Sequence, residues 1–413
     1  MSFRRIEAFA MRGHSTVNPF AVTRLALLLV LVVATTASPL GPPSAAQRPE
    51  SPSAPVSAPL ERTAVNISAL TPTQTLKTLS LEQRVGQVLM MGLPATGASA
   101  TDLSILTKYK VGNVFLKGRS YAGVTITKSV VNKLNATVSL SSTGGQKRFI
   151  ATDQEGGYVQ VLQGTGFSDM PTALHQGTWS TTTLRSKATA WAKQLHSAGL
   201  NVNLAPVADT VPSAEFAPYN SPIGYWHREF GYTSWSVADD VGAFVAGMRA
   251  GGIAPVAKHF PGLGRVTKNT DTSSNVKDTI TTRYSVYRRP FIRAIAGGTR
   301  WVMISNAIYT QIEPNRVGPY SSIIMKSMLR HDLGFTGIVI SDDMCNAKQL
   351  AAWSYASRAR AFFNAGGTMM LCVNAAEIPT IHKSMVALAK SSPSFRAKID
   401  AAALEVLQTR AGQ

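Results

Sequence analysis

Short apolar runs alternate along this chain with longer stretches in which apolar residues recur three and four positions apart. Eight runs have the length of strands: 86–94, 111–118, 147–157, 201–209, 252–260, 300–308, 337–344 and 368–374. The intervening stretches 183–199, 236–252 and 322–334 have helical spacing and end in glycine. Eight strands that alternate with helices predict a parallel α/β fold.

Polar residues cluster where these apolar runs end, and their distribution favours a barrel over an open sheet. They are Asp153, Glu155, Asp209, Lys258, His259, Asn306, Asp342, Asp343 and Asn374. A (β/α)8 barrel assembles its active site from the carboxyl ends of several strands, whereas a doubly wound sheet uses one switch point. The segment GLGRVT, residues 262–267, lacks the third glycine of a dinucleotide-binding fingerprint. We therefore predict a single-domain (β/α)8 TIM barrel that needs no cofactor.

Two segments precede the predicted barrel domain, which we place at residues 65–413. Residues 25–37 form an apolar run between a basic start and a stretch of small residues and prolines, a pattern typical of a secretory signal peptide. The run is shorter than the roughly 20 apolar residues of a membrane span, although an uncleaved anchor is the alternative. Residues 39–64 are rich in proline, serine and alanine and predict a linker. We expect a signal peptide at 1–38 and a secreted or envelope-associated, extracytoplasmic protein.

The chain is strongly basic, with a formal net charge of +19. Such a charge attracts nucleic acid and anionic surfaces, but the basic residues are dispersed and form no nucleic-acid-binding motif. We therefore expect no nucleic-acid partner, an electrostatic association with an anionic cell envelope, and a monomer. Cys345 and Cys372 are the two cysteines of the sequence. One disulfide and two separate buried thiols both remain open, and no metal-ligand spacing is present.

Charged side chains at the rim of one barrel indicate chemistry on a sugar. Buried charges are costly, so several acids and cations around one rim favour a site for a polyhydroxylated ligand. No GxSxG nucleophile elbow is present. The set that we expect at the rim consists of the acids Asp153, Asp342 and Asp343 and the cations Arg228, Lys258 and His259.

Five stretches follow one another in the order LSLEQRVGQVLMMG, ATDQEGGYVQ, NVNLAPVAD, KHFPGLG and LGFTGIVISDDM. Together they resemble the catalytic barrel of glycoside hydrolase family 3, and most of all its bacterial β-N-acetylhexosaminidase branch, over residues 65–390. The resemblance implies a retaining mechanism in which an aspartate after the seventh strand attacks the anomeric carbon, and the matching residue is Asp342. It also implies sugar-binding roles for Asp153, Arg228, Lys258 and His259, the last two keeping Asp342 ionised.

The loop after KHFPGLG departs from the pattern of that branch, in which an Asp-Ser-His motif supplies a histidine general acid/base. The matching residues here are Asn269, Thr270 and Asp271, and Leu263 replaces a histidine of the preceding turn. We favour Asp271 as a carboxylic acid/base, because most glycosidases use two carboxyl groups. One alternative is a barrel that binds glycan with little or no turnover. The other is a different acid, with the candidates Glu155, Glu229 and Asp343.

A second departure concerns the segment GGYVQV, where Tyr158 and Val161 replace two arginines of the branch, and Asn306 replaces a further histidine. The loss of these cations weakens the assignment of the sugar. We predict a retaining exo-glycosidase that hydrolyses terminal β-linked sugars, with β-N-acetylglucosaminides of cell-wall glycans as the favoured substrates. A β-glucosidase-like exo-glycosidase and a non-catalytic glycan-binding envelope protein are the alternatives.

Overall fold

The computed structural model describes residues 70–412, so the predicted signal peptide and linker lie outside the described residues. The described part contains a barrel of eight strands that are joined in parallel. We number them β1 Leu89–Pro94, β2 Asn113–Lys117, β3 Phe149–Thr152, β4 Val202–Asn203, β5 Ala254–Phe260, β6 Trp301–Ile304, β7 Ile338–Ser341 and β8 Met370–Cys372.

Neighbouring strands of the barrel follow the order of the chain. Hydrogen bonds connect them as β7-β6-β5-β4-β3-β2-β1-β8, and a parallel bridge between Ile340 and Met369 joins the two ends of this sheet. A (β/α)8 barrel requires parallel strands that are neighbours in chain order and a sheet whose first and last strands meet. The predicted barrel is therefore confirmed.

Helices surround the strands, and polar side chains cap many of their first turns, as Ser180 and Thr233 do. The helices are α1 Pro72–Thr78, α2 Leu81–Gln87, α3 Ala100–Lys108, α4 Gly123–Asn135, α5 Leu140–Thr143, α6 Ala173–Gln176, α7 Thr181–Ser197, α8 Ser234–Ala250, α9 Arg289–Ala296, α10 Tyr355–Ala365, α11 Ile378–Ser391 and α12 Pro393–Ala411. A π-helix covers Ile323–Asp332. Short 3₁₀ turns cover Ala217–Tyr219, Gly224–Trp226, Val286–Arg288, Gly318–Tyr320, Lys348–Leu350 and Ala375–Glu377. Within residues 70–412, no helix combines the length and the apolar character that a bilayer span needs.

Two apolar layers hold the barrel together. Side chains that alternate along the strands fill its interior, including Val256 of β5, Met303 of β6 and Ile340 of β7. Their outward neighbours, such as Val302 and Val339, pack against the helices. Burying each such side chain contributes roughly 1.5–3 kcal/mol, so both layers favour closure.

The third predicted strand is shorter than its apolar run indicates. It ends at Thr152, and the chain then forms a small antiparallel hairpin of Gln154–Gly156 and Val159–Gln160. Gly156, with a φ of 109°, begins the reversal, and a Cβ atom there would lie 2.2 Å from the Pro171 carbonyl oxygen. Glycine at this position therefore lets the chain turn back beside the carboxyl end of the barrel. A second small sheet pairs Lys277–Asp278 with Ile308–Tyr309.

Candidate active site

A cavity of about 330 Å³, which we call the active-site cavity, is lined by segments that follow several barrel strands. Apolar side chains from different strands and loops form part of its surface, namely Phe115, Leu204, Met303 and Leu371. All six residues predicted for catalysis or binding also line it: Asp153, Arg228, Lys258, His259, Asp271 and Asp342. The structure thus brings the predicted set together, while the role of each residue stays a prediction.

A network of ion pairs fixes the two cations on one wall of the cavity. The Lys258 Nζ atom lies 2.6 Å from Asp153 Oδ1 and 2.6 Å from Glu155 Oε1. Arg228 donates through Nε and Nη2 to the two oxygens of Glu155, each at 2.8 Å. Charge-assisted, bidentate hydrogen bonds of this kind fix the orientation of the side chains and are stronger than neutral hydrogen bonds. Lys258 and Arg228 are therefore held in place by acids of the protein itself.

Glu155 is the anchor of this network, a role that the sequence pattern did not reveal. Burial acts to raise the pKa of Glu155, but Arg228 and Lys258 outweigh it and lower the pKa to about 2. The carboxylate is thus ionised at any working pH and is held from two sides. These properties do not suit the proton-donor role that the sequence left open for Glu155.

A second buried acid, Asp209, orients His259. The Asp209 Oδ2 atom lies 2.7 Å from Nδ1 of His259, and Asp209 Oδ1 accepts the backbone N–H groups of His259 and Leu263. An acid at Nδ1 favours a proton on that nitrogen, which leaves Nε2 available for a ligand in the cavity. Asp209 is the last residue of the predicted strand run 201–209, and this position was the signal for it in the sequence. The polar contacts of Lys258 and His259 thus go to Asp153, Glu155 and Asp209, rather than to Asp342.

Asp342 and Asp343 follow β7 but have different surroundings. Asp342 lines the cavity, and its Oδ1 accepts the backbone N–H of Asp343 at 2.8 Å. Asp343 accepts the backbone N–H groups of Cys345, Asn346 and Val373 at 2.7–3.0 Å. Burial raises the pKa of Asp343 although these bonds oppose the change. Asp343 therefore shapes the turn that presents Asp342.

Asp271 lies on a loop that docks against the segment after β7. The backbone N–H groups of Lys348 and Gln349 donate to the carbonyl oxygens of Asp271 and Thr270, both at 3.0 Å. Asp271 is exposed as a residue, and it lines the cavity together with Asp342. Removal from bulk solvent, and then the charges of Asp342 and Asp343, raise the pKa of Asp271 to about 6. This carboxyl group can hold a proton in mildly acidic solution.

Cys345 and Cys372 form a disulfide, one of the two states that the sequence left open. Their Cα atoms are 5.1 Å apart. The bond joins the turn after Asp342 to the end of β8. It therefore ties together two neighbouring segments of the cavity rim.

Glu229 is buried beside Arg228 and does not line the active-site cavity. Both of its carboxylate oxygens lack a hydrogen-bond partner among residues 70–412. Burial raises the pKa of Glu229 to about 7. The altered pKa alone would have suggested a proton donor, but its position gives Glu229 no direct access to a ligand in the cavity.

One of the two positions where the sequence lacks a cation carries an exposed aromatic ring. Tyr158, at the turn of the hairpin, meets Trp226 edge-on at 5.4 Å, and Trp226 meets Tyr225 at 4.9 Å. Val161, in contrast, is buried.

Among residues 70–412, no cluster of three or more His, Cys, Asp or Glu side chains is arranged to hold a metal ion. The active-site cavity itself offers carboxylates, fixed cations and apolar surface.

Comparisons with known proteins agree with this geometry. The family described as the glycosyl hydrolase family 3 N terminal domain matches residues 80–409. A β-hexosaminidase of Stenotrophomonas maltophilia strain K279a is 32% identical over 295 residues, which are 69% of this chain and 82% of that protein. The crystal structure of a β-N-acetylhexosaminidase from Beutenbergia cavernae DSM 12333 is 48% identical, with a TM-score of 0.79, over 80% of this chain and 98% of that one. The chain therefore belongs to glycoside hydrolase family 3 and is a glycoside hydrolase.

Proposed function

We propose that this protein is an extracytoplasmic, retaining exo-β-N-acetylglucosaminidase that removes terminal sugars from cell-wall glycans. The observation that carries the proposal is the pair of carboxyl groups in one cavity, Asp342 after β7 and Asp271 with a raised pKa. Two carboxyl groups with different environments are what a retaining glycosidase needs. The names of the similar β-hexosaminidases support the choice of sugar.

In the first step, an oxygen of the Asp342 carboxylate attacks the anomeric carbon. The bond from that carbon to the glycosidic oxygen breaks as the new ester bond to Asp342 forms. Protonated Asp271 gives its proton to the departing oxygen, so the aglycone leaves as a neutral alcohol. The product is a glycosyl ester on Asp342 and a carboxylate at Asp271.

In the second step, the Asp271 carboxylate takes a proton from a water molecule. The water oxygen attacks the anomeric carbon, and the ester bond to Asp342 breaks. The sugar leaves with its original anomeric configuration, Asp342 is a carboxylate again, and Asp271 is protonated for the next turnover. Two inversions at one carbon give net retention.

The other polar groups of the cavity hold the sugar during both steps. Asp153, whose side chain is 23% exposed, keeps oxygen surface for sugar hydroxyl groups while it bonds Lys258. The oriented His259 ring offers Nε2 to another hydroxyl group. Since their protein partners fix these groups before substrate arrives, little reorganisation accompanies binding. The apolar surface from Phe115 and Met303 suits the carbon face of a sugar ring.

The extracytoplasmic part of the proposal is supported by the apolar run at residues 25–37 and by the disulfide. Disulfides persist in oxidising compartments and are rare in the cytosol. The positive net charge suits work beside an anionic envelope. Detection of the mature chain outside the cytoplasmic fraction, with a new N-terminus after the apolar run, tests this point.

Hydrolysis of nitrophenyl β-glycosides tests the activity. We expect turnover of the N-acetylglucosaminide, with a loss on the order of 10⁴-fold in Asp342→Asn. Asp169→Asn, a change at an exposed aspartate outside the cavity, is the matched control and keeps full activity. Preference for the glucoside would favour a β-glucosidase-like enzyme. Saturable sugar binding without turnover would instead favour a glycan-binding protein.

A further inference from the structure

A second cavity, of about 970 Å³, is lined by residues that precede β3, β4, β5 and β6 and by the end of α12. We call it the basal cavity, because these are the amino-terminal ends of the strands. Lys147, Arg249 and Arg300 on its rim are exposed, so the cavity is open to solvent. It is separate from the active-site cavity, since the two share no lining residue.

The charges of the basal cavity have one sign. Its cations are Lys147, Arg148, Arg249, Arg300 and Arg410, and no aspartate or glutamate among residues 70–412 lines it. Glu405 is within electrostatic reach of Arg300, but Arg330 already bonds both of its oxygens, at 2.8 and 3.0 Å. The potential in the cavity is therefore strongly positive.

One buried and one half-buried cation have unused hydrogen-bond donors, Arg148 and Arg410 respectively. Arg148 is 1% exposed, and its Nε and Nη2 atoms have no partner among the described residues. Arg410 donates to Gln87 at 2.8 Å and to Asn113 at 3.0 Å, while its Nε has no such partner. Burial lowers the pKa of Arg148 to about 10, and burial together with Arg148 lowers that of Arg410 to about 9.

Packing explains part of this arrangement. The guanidinium carbon of Arg410 lies 4.7 Å from the centre of the Phe149 ring, and α12 thereby covers the amino end of the barrel interior. That contact accounts for the position of Arg410. It does not account for the free donors of the buried Arg148 next to a second guanidinium group, because unpaired buried charge costs free energy.

We propose that the basal cavity binds a phosphate-bearing anion. A phosphoryl group carries more than one negative charge and several acceptor oxygens, which match the forked donors of neighbouring arginines. The free donors of Arg148 and of the half-buried Arg410 belong to side chains that line the cavity, so they are available to the anion. The cavity exceeds the volume of one phosphate, so it also admits the group to which the phosphate is attached.

Titration of the whole protein with inorganic phosphate and pyrophosphate tests this proposal. The Tm is measured at increasing phosphate concentration and compared with the Tm in sodium chloride of equal ionic strength. We expect a saturable increase in Tm with the phosphates alone. Arg410→Gln should weaken phosphate binding roughly tenfold, because it removes a charged donor. Arg316→Gln, at an exposed arginine outside the cavity, is the control and should bind as the native protein does.

A second variant covers the case in which Arg410→Gln does not fold. Arg300 is an exposed rim residue, and Arg300→Gln should weaken phosphate binding about threefold through the lost charge. No excess effect of phosphate over chloride would overturn the proposal. Equal affinity in the Arg300→Gln, Arg410→Gln and Arg316→Gln proteins would also overturn it.

Vesicles distinguish the sources of the phosphate. A lipid headgroup is identified if the protein sediments with phosphatidylglycerol vesicles but not with phosphatidylcholine vesicles. Free phosphate should then reverse this sedimentation, and Arg410→Gln should weaken it. Phosphate binding without vesicle binding would identify a soluble ligand. Hydrolysis by both cavity variants should equal that of the native protein, so this test is independent of the proposed glycosidase activity.

Discussion

The two ends of the barrel hold buried cations in opposite ways. In the active-site cavity, Lys258 and Arg228 share the carboxylate of Glu155, and His259 contacts Asp209. In the basal cavity, Arg148 and Arg410 lie together without an acid among residues 70–412 to pair with them. The first set is fixed by the protein before a ligand arrives, whereas the second needs an external anion for the same neutralisation.

This difference shows what the ion pairs of the active site contribute. A buried ion pair often adds little to stability, because desolvation cancels much of the attraction. Its contribution here is geometric, since the bonds of Glu155 and Asp209 fix side chains that line the active-site cavity. Fixed charges stabilise a transition state without reorganising during the reaction.

The largest effect in the active-site cavity after loss of Asp342 is expected from Asp271→Asn. We expect kcat/KM to fall by about 10²–10⁴-fold for alkyl glycosides, because the departing alcohol then lacks its proton donor. The proposed mechanism needs protonated Asp271, whose pKa is raised to about 6, so the activity of the native protein should fall as the pH rises through that value. Asp271→Asn should lose this alkaline limb and should retain more activity on dinitrophenyl glycosides. An unchanged pH profile in the variant would contradict the assignment.

The rim of the active-site cavity contains a disulfide, whereas the described lining of the basal cavity contains none. Removal of this disulfide measures how much the bond contributes to the stability of the folded protein. The two cysteines are 27 positions apart. Closing a loop of that size stabilises the folded state by about 3–4 kcal/mol in the chain-entropy estimate. Urea unfolding of the Cys345→Ser/Cys372→Ser protein measures the loss. The native protein under reducing conditions is the second comparison, and equal stability in all three would reject a role for the bond.

Glu229 is the acidic counterpart of Arg148, since both are buried with unused hydrogen-bonding atoms. Its folded-state pKa of about 7 lies above the usual 4.5, so the folded protein binds more protons between these values. Stability should therefore fall as the pH rises from about 4.5 to 7 and stay lower above it. Glu229→Gln should remove this dependence and stabilise the protein at pH 8 by about 3 kcal/mol, with no gain at pH 4. Glu215→Gln, at an exposed glutamate, is the control, and equal pH curves for the two variants would contradict the account.

The smallest expected effect is that of Asp209→Asn, which weakens one pairing of the active-site cavity and removes none of the side chains that line it. An amide at this position no longer favours the Nδ1 proton of His259, so the ring loses its fixed orientation. A misplaced binding group of this kind costs about tenfold to a hundredfold in kcat/KM. A loss confined to kcat, with unchanged binding of N-acetylglucosamine, would argue against a positioning role.

The barrel was predictable because its strands are buried on both faces and form nearly continuous apolar runs. Strand boundaries were less predictable, as the third strand shows. Within the run 147–157, the strand ends at Thr152 because the next residues form a hairpin. Gly156 permits the reversal of that hairpin. The helical stretch 322–334 contains a π-helix, Ile323–Asp332, which apolar spacing does not distinguish from an α-helix.

The six predicted site residues lie on one cavity because the carboxyl ends of parallel strands converge there. The pairing of Glu155 with Arg228 was not predictable, since the partners are 73 positions apart and no periodic pattern relates them. The basal cavity left no signal in the sequence for a similar reason. Its cations come from separate connections between strands and helices and from the end of α12.

Covalent trapping of the enzyme tests the central claim most directly. A 5-fluoro N-acetylglucosaminyl fluoride should react with the native protein and slow the release of the sugar, so that the glycosyl ester accumulates. Peptide mapping by mass spectrometry should then find one added sugar on the peptide that contains Asp342, and none in Asp342→Asn. A label on any other residue, or continued turnover without a labelled peptide, would contradict the mechanism.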